Sequence, residues 1–322
     1  MADVLITGGS GFIGRRLVQL LVKEGYGVRA VSRSLVGKKL LENLGAEVVL
    51  ADIRDYRSME SAVANVATIF HLAGIVSYRY IDRKLMMSVN LLGTRNLLEL
   101  VEKYHTPKLI VCSSVVVLGG SDGQMLDETA KHDEDCISYY EKSKYLAYQE
   151  VMSLTSKRSG IVVALPALAM GPGDADILGI YIKAFREGKL PFLVRMNRPI
   201  SYVFVDDLAR GLYLCMTKGK SGEQYIFSSG SCTPGELALL LEKYTGKKRP
   251  SIQLSPRLAK PFLILDEVLA SMTGRQPPLT VESLRVLEKR DWVYSGQKAI
   301  NELEWKPRNL DEMVRDSVGV RI

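Results

Sequence analysis

Short apolar blocks alternate with stretches of helical spacing along the first half of the chain. Residues 4 to 6 form an apolar run, and Leu17, Val18 and Leu21 then recur at helical intervals before Lys23-Glu24-Gly25. The pattern predicts a strand, a tight turn and a helix. Similar runs at 27 to 31, 47 to 51, 67 to 72, 108 to 112 and 161 to 165 predict five more strands. A helix is expected over 84 to 104, carrying Asn90, Leu91, Gly93, Thr94, Leu97 and Leu98. Strands that alternate with helices imply βαβ units and a doubly wound parallel sheet with right-handed crossovers. After Pro166 the pattern loosens. A helix is expected over 177 to 188 and a strand over 200 to 205, with Asp206-Asp207-Leu208 capping a helix to about Met216. A strand at 224 to 227 follows, then a helix with Thr233 as N-cap and Pro234 at its first position. Residues 257 to 274 read as a helix that is apolar on much of its face.

The first turn reads Thr7-Gly8-Gly9-Ser10-Gly11-Phe12-Ile13-Gly14. Gly8 permits the sharp bend, Gly11 lets backbone approach a phosphate, and Gly14 lets the helix lie close to the strand. The helix N-terminus behind it offers free N–H groups and a partial positive charge, so the unit suits a pyrophosphate. The second strand ends in Ser32-Arg33-Ser34, where an acid would accept from a free 2′-hydroxyl and repel a 2′-phosphate. Ser32 and Arg33 offer donors instead, which favours NADP over NAD. Stacking of Arg33 on adenine would suit either cofactor.

Ser138-Tyr139-Tyr140-Glu141-Lys142-Ser143-Lys144 holds the second constellation. On a helix, Tyr140 and Lys144 share one face a turn apart. A neighbouring ammonium lowers a phenol's pKa, so the pair can exchange a proton with an alcohol or carbonyl oxygen. Ser113 and Ser114 end the fifth predicted strand, at the sheet edge where ligands of open parallel sheets sit. A hydroxyl there can hold a substrate oxygen beside Tyr140.

Composition narrows the picture. In 322 residues, 47% are apolar and 25% charged, which is ordinary for a globular chain. The net charge of +7 is spread out, and no basic run is long enough for a nucleic-acid surface. Four scattered cysteines without a Cys-x-x-Cys pair read as reduced residues of a cytoplasmic protein. Three histidines do not make a His-rich metal site, and no metal is expected. The start directly in a strand predicts no signal peptide. The most apolar window, 258 to 272, is interrupted by Lys260, Asp266 and Glu267 and falls short of the ~20 residues a membrane span needs.

Together these stretches resemble the extended short-chain dehydrogenase/reductases of the NAD(P)-dependent epimerase/dehydratase superfamily. TGGSGFIG, Asp52-Ile53, HLAG at 71–74, NLLGTRNLLE at 90–99, SSVVVLG at 113–119, YYEKSK at 139–144, YVFVDDLARG at 202–211 and NELEWKP near the end fall in that family's order. The branch most similar holds dihydroflavonol reductases and 3β-hydroxysteroid dehydrogenases. The resemblance implies Ser114 as the catalytic hydroxyl, Tyr140 as acid/base, and Lys144 as the group that holds the nicotinamide ribose and tunes the tyrosine. It implies cofactor contacts at Gly8, Gly11, Phe12, Ile13, Ser32, Arg33, Asp52, Ile53, Leu72, Ala73, Gly74 and Pro166. Asn90 is similar to a helix asparagine that supports the catalytic region. Tyr139 competes by adjacency, but its partner one turn on is Ser143, which supplies no cation.

The fold expected is therefore α/β: a doubly wound parallel Rossmann sheet with a smaller, interleaved C-terminal α/β substrate-binding region. Residues 1–167 would hold NADP and the catalytic groups. Residues 168–322 would mainly bind substrate, with segments near 200–230 returning to the core. Sugar-nucleotide members of the family usually carry an arginine where this chain has Ile200, and an Arg-Pro-Gly-Asp segment that is absent, although Arg285 lies in that region. Arg195 and Arg198 could stand in for those diphosphate clamps. Val115 and Val116 suit an apolar pocket floor, which Val76, Tyr181 and Tyr202 could extend. The leading expectation is a hydride-transferring, NADP-dependent oxidoreductase acting on a lipophilic small molecule. The alternatives are a nucleotide-sugar epimerase or dehydratase and a non-catalytic cofactor-sensing protein. No sequence feature proves a homodimer.

Overall fold

The computed structural model describes residues 2–195, 197–273 and 275–319. Its strands are β1 (Val4–Thr7), β2 (Val28–Ser32), β3 (Glu47–Leu50), β4 (Thr68–His71), β5 (Lys108–Cys112) and β6 (Ile161–Pro166), then β7 (Leu168–Met170), β8 (Leu193–Val194), β9 (Ile200–Phe204), β10 (Gln224–Phe227), β11 (Gly230–Cys232) and β12 (Gln253–Leu254). Its helices are α1 (Phe12–Lys23), α2 (Leu35–Asn43), α3 (Tyr56–Val63), α4 (Arg83–Met86), α5 (Gly93–Lys103), α6 (Tyr139–Thr155) and α7 (Ile177–Arg186). They continue as α8 (Val205–Thr217), α9 (Pro234–Thr245), α10 (Pro256–Thr273), α11 (Val281–Lys289), α12 (Gln297–Leu303) and α13 (Leu310–Ser317).

Seven strands form one parallel sheet in the order β10-β6-β5-β4-β1-β2-β3. The doubly wound expectation is met. The order reverses between β1 and β4, so a crevice opens at their carboxyl ends. Every residue of β1, β4 and β6 is buried, because helices cover both faces. On one face Leu17, Val18 and Leu21 of α1 pack with Leu208 and Leu212 of α8 and with Trp305. On the other, Leu97 and Val101 of α5 and Val151 of α6 meet Leu5, Ile69 and Leu109. A third core joins α7, α9 and α13 to the small sheet β11-β9-β7, through Phe185, Tyr202, Leu237 and Met313. Segment 200–230 is divided: β10 and α8 belong to the large sheet's layers, while β9 lies in the small sheet.

Two local expectations are corrected. The helix expected over 84–104 is interrupted. Between α4 and α5, Met87–Leu92 forms a π-helical turn, which widens the coil around Asn90. Asp206 and Asp207 do not cap α8; its N-cap is Phe204, which has no side-chain cap. Asp207 instead accepts from the backbone N–H of Arg308 at 2.8 Å and from its guanidinium at 2.9 Å. The helix expected over 257–274 is α10, whose last expected residue, Gly274, lies outside the described residues. Thr233 caps α9 as expected, in a capping box with Glu236.

Candidate active site

Gly8 adopts φ +72°, and a Cβ there would sit 2.7 Å from the backbone nitrogen of Ala73. A Cβ on Gly14 would meet the Gly8 carbonyl oxygen at 2.2 Å, so α1 and the turn touch backbone to backbone. α1 has Gly11 as its N-cap, with no side-chain cap and no acid in its first turn. Its first amides therefore face the cleft without a protein acceptor competing for them, a cradle that fits a pyrophosphate. Arg15 and Arg16 reach from the same helix to the carbonyls of Gly173 and Pro172, each at 3.0 Å.

At the end of β2, Ser32 and Arg33 both line the cleft. The Ser32 hydroxyl is not a spare donor, because it donates to the Ser34 carbonyl at 3.0 Å and accepts from the Ser34 amide at 3.3 Å. Arg33 remains as the exposed cation at that end. Ile53 lines the cleft, whereas Asp52 does not. Arg54 holds the Asp52 carboxylate at 2.6 Å and pulls its pKa below the usual range.

Beneath the crevice, His71 joins β1 to α5. Thr94 donates to the Asn90 carbonyl at 2.6 Å, so its oxygen accepts from His71 Nε2–H at 2.9 Å. Ala73 N–H donates to Thr7 Oγ1 at 3.2 Å, and the Thr7 hydroxyl donates to His71 Nδ1 at 2.9 Å. This chain fixes a neutral imidazole, and burial pushes its pKa down to about 3. Leu72, Ala73 and Gly74 follow as cleft floor.

Ser114, Tyr140 and Lys144, the residues expected to be catalytic, line the same cleft. Ser138 begins α6 in a capping box with Glu141, accepting from its amide at 3.1 Å, and that start places Tyr140 in the first turn. Glu141 is 1% exposed and also accepts from Ile137 N–H at 2.6 Å, while His132 Nε2 lies 3.1 Å away. The π turn aims Asn90 at the same place. Its oxygen accepts from Ile75 N–H at 2.8 Å, and its amide donates to Ser143 Oγ at 2.9 Å. Ser143 passes the link on to the Tyr140 carbonyl at 2.8 Å. Ser114, just past the end of β5, lines the cleft with Tyr140, and Lys144 donates to the Cys112 carbonyl at 3.3 Å. A Cβ on Gly74 would lie 3.7 Å from Lys144 Nζ, so floor and lysine adjoin.

The electrostatics differ from expectation. Burial raises the Tyr140 pKa to about 12, and the Ser114 hydroxyl nearby only partly opposes it. Burial also lowers that of Lys144. Desolvation, not the lysine charge, dominates both groups. Tyr139 is 41% exposed, lies under the Arg83 guanidinium at 3.8 Å, and does not line the cleft.

The cleft measures about 1780 Å³, enough for a dinucleotide and a second molecule. Pro166, Val76, Val115, Val116, Tyr181 and Tyr202 all line it. Tyr202 is 1% exposed and serves as wall, whereas Val76 is 42% exposed at the mouth. Tyr78, two residues after Val76 in the same loop, also lines the cleft, and its ring meets that of Tyr140 edge-on at 6.1 Å. Sequence reasoning missed Phe192, which lines the far wall with Phe262 and Leu263 of α10. No local signal marks these residues, because chain folding alone brings them to the cleft. The Ser-x-x-Glu spacing at 138–141 was a readable sign of the Glu141 anchor.

Comparisons with known proteins bear on the family and the fold. A family model described as the NAD dependent epimerase/dehydratase family matches residues 4–227. The chain is 29% identical to the "Putative dihydroflavonol 4-reductase" of Synechocystis sp., over 99% of this chain and 94% of that one. It is 28% identical to a 3-beta-hydroxysteroid dehydrogenase of Mycolicibacterium neoaurum, over 95% and 87%. The crystal structure of gox2253 superposes with a TM-score of 0.84 at 32% identity, covering 99% of this chain and 97% of that one.

Proposed function

The chain belongs to the NAD dependent epimerase/dehydratase family, and from that premise we propose an NADP-dependent oxidoreductase acting on a secondary alcohol or ketone of a lipophilic or polycyclic small molecule. One observation carries the reading: Ser114, Tyr140 and Lys144 meet where the cleft leaves the glycine turn and becomes apolar-walled. The steroid dehydrogenase and dihydroflavonol reductase names among its relatives support that substrate class.

Gly8, Gly11, Phe12 and Ile13 would hold the pyrophosphate, and Arg33 the 2′-phosphate. Leu72, Ala73, Gly74 and Pro166 would form the floor, and Lys144 would hold the nicotinamide ribose. The nicotinamide, when bound, supplies or accepts the hydride at the substrate carbon. In reduction Tyr140 gives its phenolic proton to the carbonyl oxygen, while Ser114 donates a hydrogen bond to the same oxygen and fixes it. A phenol with a pKa of about 12 keeps that proton at neutral pH, which suits reduction. The Lys144 charge then stabilises the phenolate left behind.

The nucleotide-sugar alternative needs cations free to clamp a diphosphate. Ile200 occupies one expected position, and Arg198 is paired with Asp291 at 3.1 Å. Arg195 and Arg249 line the cleft, and Arg249 leans on Glu242 at 3.6 Å. NADPH oxidation against a panel of lipophilic ketones tests the proposal. Tyr140→Phe is expected to bind NADPH and lose about 10²–10⁴ in turnover. Undiminished turnover by that variant removes Tyr140 as acid. Substrate conversion with no net NADPH consumption points to the epimerase alternative.

A further inference from the structure

α10 presents a largely exposed apolar face, on which Phe262 alone meets another ring, that of Phe192 at 5.7 Å. Leu258, Phe262, Leu265, Leu269 and Met272 recur every three or four residues along it and are 47 to 79% exposed. Ile264 and Val268, at 49% and 51%, broaden the stripe. The helix already buries its other side through Ala259, Leu263 and Ala270. A helix packed only against its own chain turns a polar face to water, and a monomer's apolar patches seldom exceed a few hundred Å².

The charge around this stripe has one sign. Between residues 247 and 275 there are six Lys or Arg and two carboxylates. Both carboxylates are engaged: Asp266 by Arg275, and Glu267 by the Val281 N–H at 2.5 Å. Lys247, Lys248, Arg257 and Lys260 are exposed, with no carboxylate partner among the described residues. The stripe also continues across the cleft mouth. Phe262, Leu265 and Leu269 line the cleft itself. Glu282, next to the Val281 that Glu267 holds, pairs with Arg83 at 2.9 Å. Arg83 in turn sits 4.1 Å over the ring of Tyr80, and Tyr80 and Ile81 are 76% and 73% exposed.

We propose that this face docks on the surface of an anionic phospholipid bilayer. α10 would lie in the interface, its apolar stripe among the acyl chains and its basic residues at the headgroups. No described helix is long and apolar enough to cross a membrane, so the contact is peripheral. A second copy of this chain could also cover the stripe, but it would set two net-positive faces against each other. An anionic surface removes that repulsion. The docking rests on α10 alone; delivery of substrate from the bilayer to the cleft rests on the lipophilic-alcohol reading.

Sedimentation with phosphatidylcholine vesicles, with and without phosphatidylserine, tests the docking in the absence of cofactor and substrate. Binding to the phosphatidylserine vesicles that weakens with salt is expected. The triple variant Leu258→Gln/Val268→Gln/Met272→Gln, whose positions do not line the cleft, should lose it. Lys247→Gln/Lys248→Gln should lower partitioning on the order of tenfold or more. Both variants should still quench or enhance NADPH fluorescence as the parent does, which shows that they fold. Wild-type protein left in the supernatant with both vesicle types overturns the proposal. So does a dimer in sedimentation velocity that the triple variant splits, because a second copy then covers the stripe. Vesicle binding without ketone reduction would keep the docking and reject the substrate class.

Discussion

Acidifying the solution tests the buried imidazole of His71. Its two ring nitrogens are both committed, Nδ1 as acceptor from Thr7 and Nε2 as donor to Thr94. A second proton would have to displace the Thr7 hydroxyl proton, inside a fully buried site. The folded pKa is about 3 against an ordinary 6.5. A depressed value means that the unfolded chain takes up the proton first as pH falls. The stability tied to the neutral ring is complete above 6.5 and drains away between there and about 3. Each pH unit in that window costs about 1.4 kcal/mol, so the loss is about 2 kcal/mol at about pH 5 and roughly 4 to 5 kcal/mol at about pH 3. Urea unfolding at about pH 8 and about pH 5, for the parent and His71→Gln, reads this term. The variant is expected to be less stable at the higher pH, where it loses a network bond, yet flatter between the two. Equal pH dependence in both proteins would refute the buried neutral ring. Because Thr7 also holds the Ala73 amide, NADPH affinity of the folded protein should hold through this window and fall only as the pH nears about 3, where the folded ring itself takes up the proton.

Three further outcomes follow from the site. Arg33→Asp should lower the ratio of NADP to NAD affinity about ten- to hundredfold by titration of each cofactor, and an unchanged ratio would remove Arg33 from 2′-phosphate recognition. Gly14→Ala puts a Cβ 2.2 Å from the Gly8 oxygen, so a loss of about 1–3 kcal/mol in chemical denaturation and a raised KM for NADPH are expected. With the Tyr140 pKa held at about 12 by burial, alcohol oxidation should rise about tenfold per pH unit through the alkaline range. Ketone reduction should stay level over that range, and an oxidation plateau at neutral pH would show that the lysine, not burial, governs the phenol.

The large sheet was legible because its central strands β1, β4 and β6 are buried throughout and so read as short apolar runs. The glycine turn was legible because backbone contact admits no side chain at Gly8 or Gly14. Tyr140 and Lys144 could be paired because helical spacing alone puts them together. What escaped depends on partners distant in sequence. The π turn at 87–92 leaves no mark on periodicity, yet it is what aims Asn90 at Ser143. Asp207 looked like a cap and serves Arg308, some hundred residues on. Ser32 looked like a free donor until the Ser34 turn claimed it. The acidity of Tyr140 was misjudged because a sequence shows the neighbouring charge but not the depth at which both groups lie.

Arg15 and Arg16 have a practical meaning for anyone re-engineering coenzyme choice. They leave the helix that faces the pyrophosphate and end on carbonyls more than 150 positions downstream, just ahead of Asp174 and Asp176 on the substrate wall. Those two guanidiniums tie the first helix to the segment at residues 172–173. A graft that swaps the N-terminal turn for another protein's loop, but drops the arginines behind it, would let the pocket drift relative to the phenol. Transplanted segments should therefore run through residue 16 and carry their docking carbonyls with them.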